Sequence, residues 1–122
     1  MKSLAPKQQG LTDMIARLWS ARTTPELVSL YLAHFSKHVQ PMVRTFSGYA
    51  GSTVMTREAP ETIEILVTTL WRSMQAIEAF AGPDREVAVI APEAAALLTS
   101  FDKRVVHYEL ALFEFPPTPP NA

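Results

Sequence analysis

Apolar positions fall first in alternation and then at helical spacing, and the switches between the two periods set out the elements. From Met14 to Ser20 short apolar and larger residues alternate, which predicts a first strand ending near the loop Ala21-Arg22-Thr23. Thr24-Pro25-Glu26 supplies a helix start. It offers a hydroxyl cap, a proline whose missing N–H costs nothing at the first position, and an acid at the positive end of the dipole. At about 100° per residue from Leu27, the residues Leu30, Tyr31, His34, Phe35, His38 and Met42 share one arc, while Ser29, Ala33, Ser36, Lys37, Gln40 and Arg44 share the other. The wide apolar arc places this helix against a sheet, and Pro41 is expected to end or kink it.

Strand periodicity then returns. Ser47-Gly48-Tyr49-Ala50-Gly51 reads as a turn into a second strand through Met55, closed by Arg57-Glu58-Ala59-Pro60. Thr62 to Trp71, rich in Ile, Val and Thr, reads as its hairpin partner. Ser73 caps a helix from Met74 to Phe80, which Gly82-Pro83 breaks. A helical stretch from Asp84 to Val89, a helix from Pro92-Glu93 through Ser100 and a long strand from Arg104 to Phe115 complete the order βαββααβ.

That final strand carries Val105, His107, Glu109, Ala111 and Phe113 on one face and Val106, Tyr108, Leu110 and Leu112 on the other. Both faces are greasy. The strand from Thr62 repeats the pattern, with Ile63, Ile65, Val67 and Trp71 opposed by Leu66 and Leu70. Helices on one side of a four-stranded antiparallel sheet bury one face only, so a second copy of the chain is the expected cover for the other. A homodimer follows.

Composition narrows the chemistry. The chain has 122 residues and no Cys, which excludes disulfides, thiolate metal sites and a cysteine nucleophile. A formal net charge of -1 provides no field for phosphates, so no nucleic-acid partner is expected. No apolar run approaches membrane-spanning length, and the first ten residues lack a signal-peptide core, so neither membrane association nor export is expected and a cytoplasmic location is. Residues 1–11 and the Pro-rich 116–122 read as tails around one domain spanning 12–115.

Several side chains carry candidate chemistry. His34 and His38 stand one helical turn apart on the arc of Tyr31 and Met42, a spacing that metals use, but no acid lies between them to complete a ligand set. No metal is expected. The pair suits a cavity between helix and sheet, where an imidazole accepts a proton near neutral pH; packing at the core or its rim is the alternative. Trp71 at a strand end either walls the cleft with its N–H aimed at a ligand oxygen or plugs the core edge. Tyr31 either donates into the same space or reaches solvent. Arg17, a charge within an apolar strand, is expected to pair with Glu109, which shares a face with His107.

The strand Met14-Ile15-Ala16-Arg17-Leu18-Trp19, the turn Ser47-Gly48-Tyr49-Ala50-Gly51 and the segment Trp71-Arg72-Ser73-Met74-Gln75-Ala76-Ile77-Glu78-Ala79-Phe80 resemble the antibiotic biosynthesis monooxygenase (ABM) family. The resemblance implies a ferredoxin-like α+β fold paired into a dimeric α/β barrel. It also implies one of two oxygen chemistries: cofactor-free oxidation of polycyclic phenols, or haem cleavage using an Asn, a Trp and a His. The only Asn is Asn121 in the C-terminal tail, which disfavours the haem branch. Under the other branch no cofactor is expected. His38 or His34 takes the proton of a small apolar or aromatic substrate, and Trp71 and Tyr31 orient it. Arg17 stabilises the anion, and Trp19, Met42 and His107 complete the binding surface. A ligand-binding module without turnover fits the same residues.

Overall fold

The computed structural model describes residues 13–114. Both tails, and Phe115 at the end of the expected last strand, lie outside that range. The described chain runs β1 (Ile15–Thr23), α1 (Val28–His34), a wide π-helical turn (Phe35–Val39), α2 (Gln40–Val43), β2 (Tyr49–Ala59), β3 (Thr62–Trp71), α3 (Met74–Ala81), α4 (Pro92–Ala95), β4 (Ser100–Phe101) and β5 (Val106–Glu109).

One antiparallel sheet has the order β2-β3-β1, and β4 and β5 share the far side of β1. In β3 burial alternates residue by residue. Ile63, Ile65, Val67, Thr69 and Trp71 are buried on one face, and Tyr31 and Phe35 from the helical segment join Ala21, Ile65 and Val67 in one cluster. This is the α+β arrangement expected from the hydrophobic periods, with helices on one face, and the ferredoxin-like fold that the family resemblance implies. The hairpin between β2 and β3 turns through Pro60 and Glu61, where proline fixes the first bend and Glu61 takes φ 62°.

The elements depart from expectation where tertiary partners outweigh local preference. β1 runs through Ala21-Arg22-Thr23 instead of looping there, because Ala21 and Thr23 are fully buried opposite Ile65 and Ile63. β2 likewise continues past Met55 to Ala59 along its partner. Pro41 does not stop the helical path. Ahead of it the backbone widens, Gln40 N–H reaching the Phe35 carbonyl five residues back, and a final turn carries on to Val43. Widening relieves the clash that a proline ring makes in a regular coil.

The stretch from Asp84 to Val89 forms no helix. Asp84 Oδ1 accepts from the Glu86 N–H, its carboxylate pairs with Arg104, and the Arg85 and Val87 carbonyls accept from Arg17. The backbone acceptors that a helix would use are spent elsewhere. The helix from Pro92 ends at Ala95, because Leu97 gives its carbonyl to Thr23 Oγ1 and Thr99 N–H donates to Arg22, drawing the chain onto the edge of β1. The strand expected from Arg104 is shortened to Val106–Glu109, ending where its partner β1 begins at Ile15, and Ser100, expected in the preceding helix, instead forms a short strand with Phe101.

Among the described residues the opposite face of the sheet has no helical cover. Leu18 pairs with Val106 and Leu66 with Met55 on that side, and Met55, Val106 and Tyr108 are 52%, 53% and 60% exposed. Among the described residues no helix is long and apolar enough to cross a membrane.

Candidate functional site

A cavity of about 490 Å³ opens between the sheet and the helical segment, within the range of small-molecule sites. The sequence spacing builds one wall. Tyr31, His34, His38 and Met42 recur every three or four residues and so project from one side of the helical path into the lining. Arg17 and Trp19, two apart on β1, form the floor with Val67 and Thr69 of β3. Of the residues singled out from the sequence, Arg17, Trp19, Tyr31, His34, His38 and Met42 border this space, whereas Trp71 and His107 do not.

The two histidines differ. Their rings lie 5.2 Å apart, but His38 is exposed, while Nε2 of the half-buried His34 is sealed from water and has no hydrogen-bond partner among the described residues. An orphaned buried nitrogen is costly unless something reaches it. Tyr31 is buried, and burial pushes its phenol up to about 12, so it remains a protonated donor throughout the physiological range. The Trp19 indole N–H is committed to the Asp102 carbonyl at 2.7 Å, which leaves its ring as the cavity-facing surface.

Arg17 does not pair with Glu109. Strand register sets Glu109 opposite Ile15 and exposes it, while His107 stands opposite Arg17. The Arg17 side chain instead donates from Nη1 to the Arg85 carbonyl and to His107 Nε2 at 3.0 Å, and from Nη2 to the Val87 carbonyl at 2.7 Å. It also lies 5.6 Å from the centre of the Phe80 ring. Burial lowers its pKa to about 10, and it takes part in none of the ion pairs among the described residues. His107 is held below the usual imidazole range, first by burial and then by the Arg17 charge.

Trp71 is fully buried behind the cavity. Its ring stacks on Phe80 at 5.2 Å and meets Tyr49 edge-on at 5.6 Å, and its N–H donates to Thr69 Oγ1 at 2.8 Å instead of to the cavity. Thr69 itself lines the cavity, and its hydroxyl proton remains available. Sequence reasoning missed Thr69, although the two-residue period of β3 through Val67 and Trp71 places it on the same face. Gly48 sets the height of α3 behind this wall. It has φ 90°, and a Cβ there would lie 2.6 Å from that of Ala76.

Among the described residues no group of three or more His, Asp or Glu is placed to hold a metal ion. Comparison with curated proteins finds no match. The fold matches a putative antibiotic biosynthesis monooxygenase from Bacillus cereus at 13% identity, with 84% of this chain and 98% of that chain covered and a TM-score of 0.60. A protein of unknown function from Nitrosomonas europaea matches at 19% identity, 89% and 100% coverage and a TM-score of 0.58. A Streptomyces coelicolor monooxygenase in complex with the ligand nanaomycin D matches at 15% identity, 87% and 94% coverage and a TM-score of 0.53. The family model described as antibiotic biosynthesis monooxygenase matches residues 14–85, more than half of the sequence, and the chain belongs to that family.

Proposed function

We propose that this protein is a cofactor-independent monooxygenase that oxidises a small, planar phenolic or quinol-type molecule in the cavity between helix and sheet. The observation that carries the reading is His34. Its imidazole borders an apolar cavity, and its shielded Nε2 has no protein partner among the described residues, so a turn of the ring would present an uncommitted nitrogen to an occupant's proton. His38, exposed at the rim, is a second acceptor.

The chemistry asks little of the protein. An activated ring CH₂ gives its proton to the imidazole, and the resulting anion passes one electron to dioxygen. The radical pair joins as a hydroperoxide, which loses water to leave a ketone, so one CH₂ and one O₂ become one C=O and one H₂O. Tyr31 and Thr69 offer hydroxyls to the developing oxyanion, while the rings of Trp19 and Phe35 enclose the substrate. The nanaomycin D held by the Streptomyces coelicolor structure is consistent with a flat polycyclic occupant.

The bare sheet face supports a homodimer in which a second copy covers Leu18, Leu66 and Val106. The test of function is oxygen consumption with anthrone as substrate. Uptake above the buffer rate that disappears in His34→Ala is the expected result. Binding of anthrone without uptake would replace the enzyme reading with that of a ligand-binding module.

A further inference from the structure

We infer that the cavity selects an aromatic molecule bearing a carboxylate, and that Arg17 is the residue that reads it. The inference rests on the reading above that a planar molecule occupies this cavity, and it adds the charge of that molecule.

Arg17 is 4% exposed, so its guanidinium is removed from bulk water. Among the described residues its hydrogen-bond and ring partners are all uncharged: two backbone carbonyls, the Nε2 of His107 and the Phe80 ring. Guanidinium can only donate, so the accepting His107 nitrogen carries no proton and the imidazole is neutral in this pairing. Glu93, the carboxylate that borders the cavity among the described residues, is exposed and makes no ion pair with Arg17. Hydrogen bonds are therefore made, but the positive charge is not neutralised. A buried cation in that state is costly, and an anion brought by the occupant is the missing compensation.

Donor arithmetic sharpens the class. A guanidinium has five N–H groups. Three are used, both on Nη1 and one on Nη2, which leaves Nε–H and one Nη2–H without an acceptor among the described residues. Two donors on neighbouring nitrogens of one planar cation match the two oxygens of a carboxylate, whereas a phenolate supplies one oxygen. His107, outside the lining, acts as a positioning residue that holds the guanidinium toward the cavity floor.

The experiment is a fluorescence titration of the whole protein with 2-naphthoate and with its neutral isostere 2-naphthamide, without turnover. A parallel pair, 4-nitrobenzoate and 4-nitrophenolate, separates a two-oxygen anion from a one-oxygen anion. The expected result is at least about tenfold tighter binding of each carboxylate than of its comparator, with the naphthoate preference reduced to about twofold or less in Arg17→Gln. Equal binding of naphthoate and naphthamide by the unaltered protein overturns the inference, whether or not the variant folds. So does equal binding of nitrophenolate and nitrobenzoate, or a preference that survives in Arg17→Gln. Because no oxygen is consumed, failure here leaves the oxidation reading standing. Conversely, a carboxylate preference in a protein that never consumes oxygen preserves the inference and removes the enzyme.

Discussion

Arg17 donates to Nε2 of His107 across adjacent strands at 3.0 Å, a cation held by an imidazole where a carboxylate was expected. Protonating that imidazole would remove the acceptor and set two positive charges against each other. The folded-state pKa of His107 lies below its ordinary 6.5, so the unfolded chain binds the proton more readily. Stability from this pair is therefore complete above the unfolded value and is lost as the pH falls through it. In thermal melts between about pH 8 and about pH 5, the fall in midpoint should be smaller in His107→Gln than in the unaltered protein. Identical falls would assign the pH dependence to other groups.

His34→Ala should lower anthrone-dependent oxygen uptake by about a hundredfold, the usual worth of a positioned base, while the circular dichroism spectrum is unchanged. His38→Ala should cost less than about tenfold, because its ring is exposed at the rim. The reverse ranking would move the proton acceptor to His38.

Trp71→Phe should destabilise the fold by about 1–3 kcal/mol in urea unfolding, through loss of the indole donor to Thr69 Oγ1 and of ring volume in a fully buried position. Oxygen uptake should fall by much less than in His34→Ala, since the indole acts on the cavity only through the lining residues Thr69 and Phe80. A collapse of activity in a stable Trp71→Phe protein would place the ring in the chemistry.

Light scattering at micromolar concentration should report a dimer, and Val106→Glu should convert it to a monomer. Val106 is 53% exposed in the single chain, so the substitution adds little strain there and acts on association. A monomeric unaltered protein would show that the bare face needs no second copy.

The cavity wall was legible because it is local. Tyr31, His34, His38 and Met42 share a helical arc by spacing alone, and the alternation of Ile63, Ile65 and Val67 fixed which way β3 faces. The environment of Arg17 was not legible. Its acceptors are the backbone carbonyls of Arg85 and Val87, and a carbonyl belongs to every residue, so no side-chain pattern announces it. The same contacts explain why 84–89 forms no helix despite the expectation of one: a charge sixty-eight and seventy positions earlier in the chain claims the two carbonyl oxygens. Trp71 was recognised as the pivot between strand and helix, yet only the packing of Tyr49 and Phe80 around it decides that its N–H turns inward to Thr69.

The wide turn over Phe35–Val39 also acts as a phase adjuster. One surplus residue is accommodated in the coil there, so everything after it is rotated by about 100° relative to an uninterrupted helix. In an uninterrupted helix Val43 would stand about 160° from Leu27, off the arc of Tyr31 and His34, and with that offset it borders the cavity beside Met42. Excising a single residue from the turn would leave the composition of the wall nearly intact while swinging Val43 away from the lining, which makes the length of this segment, as much as its sequence, a determinant of the chamber's shape.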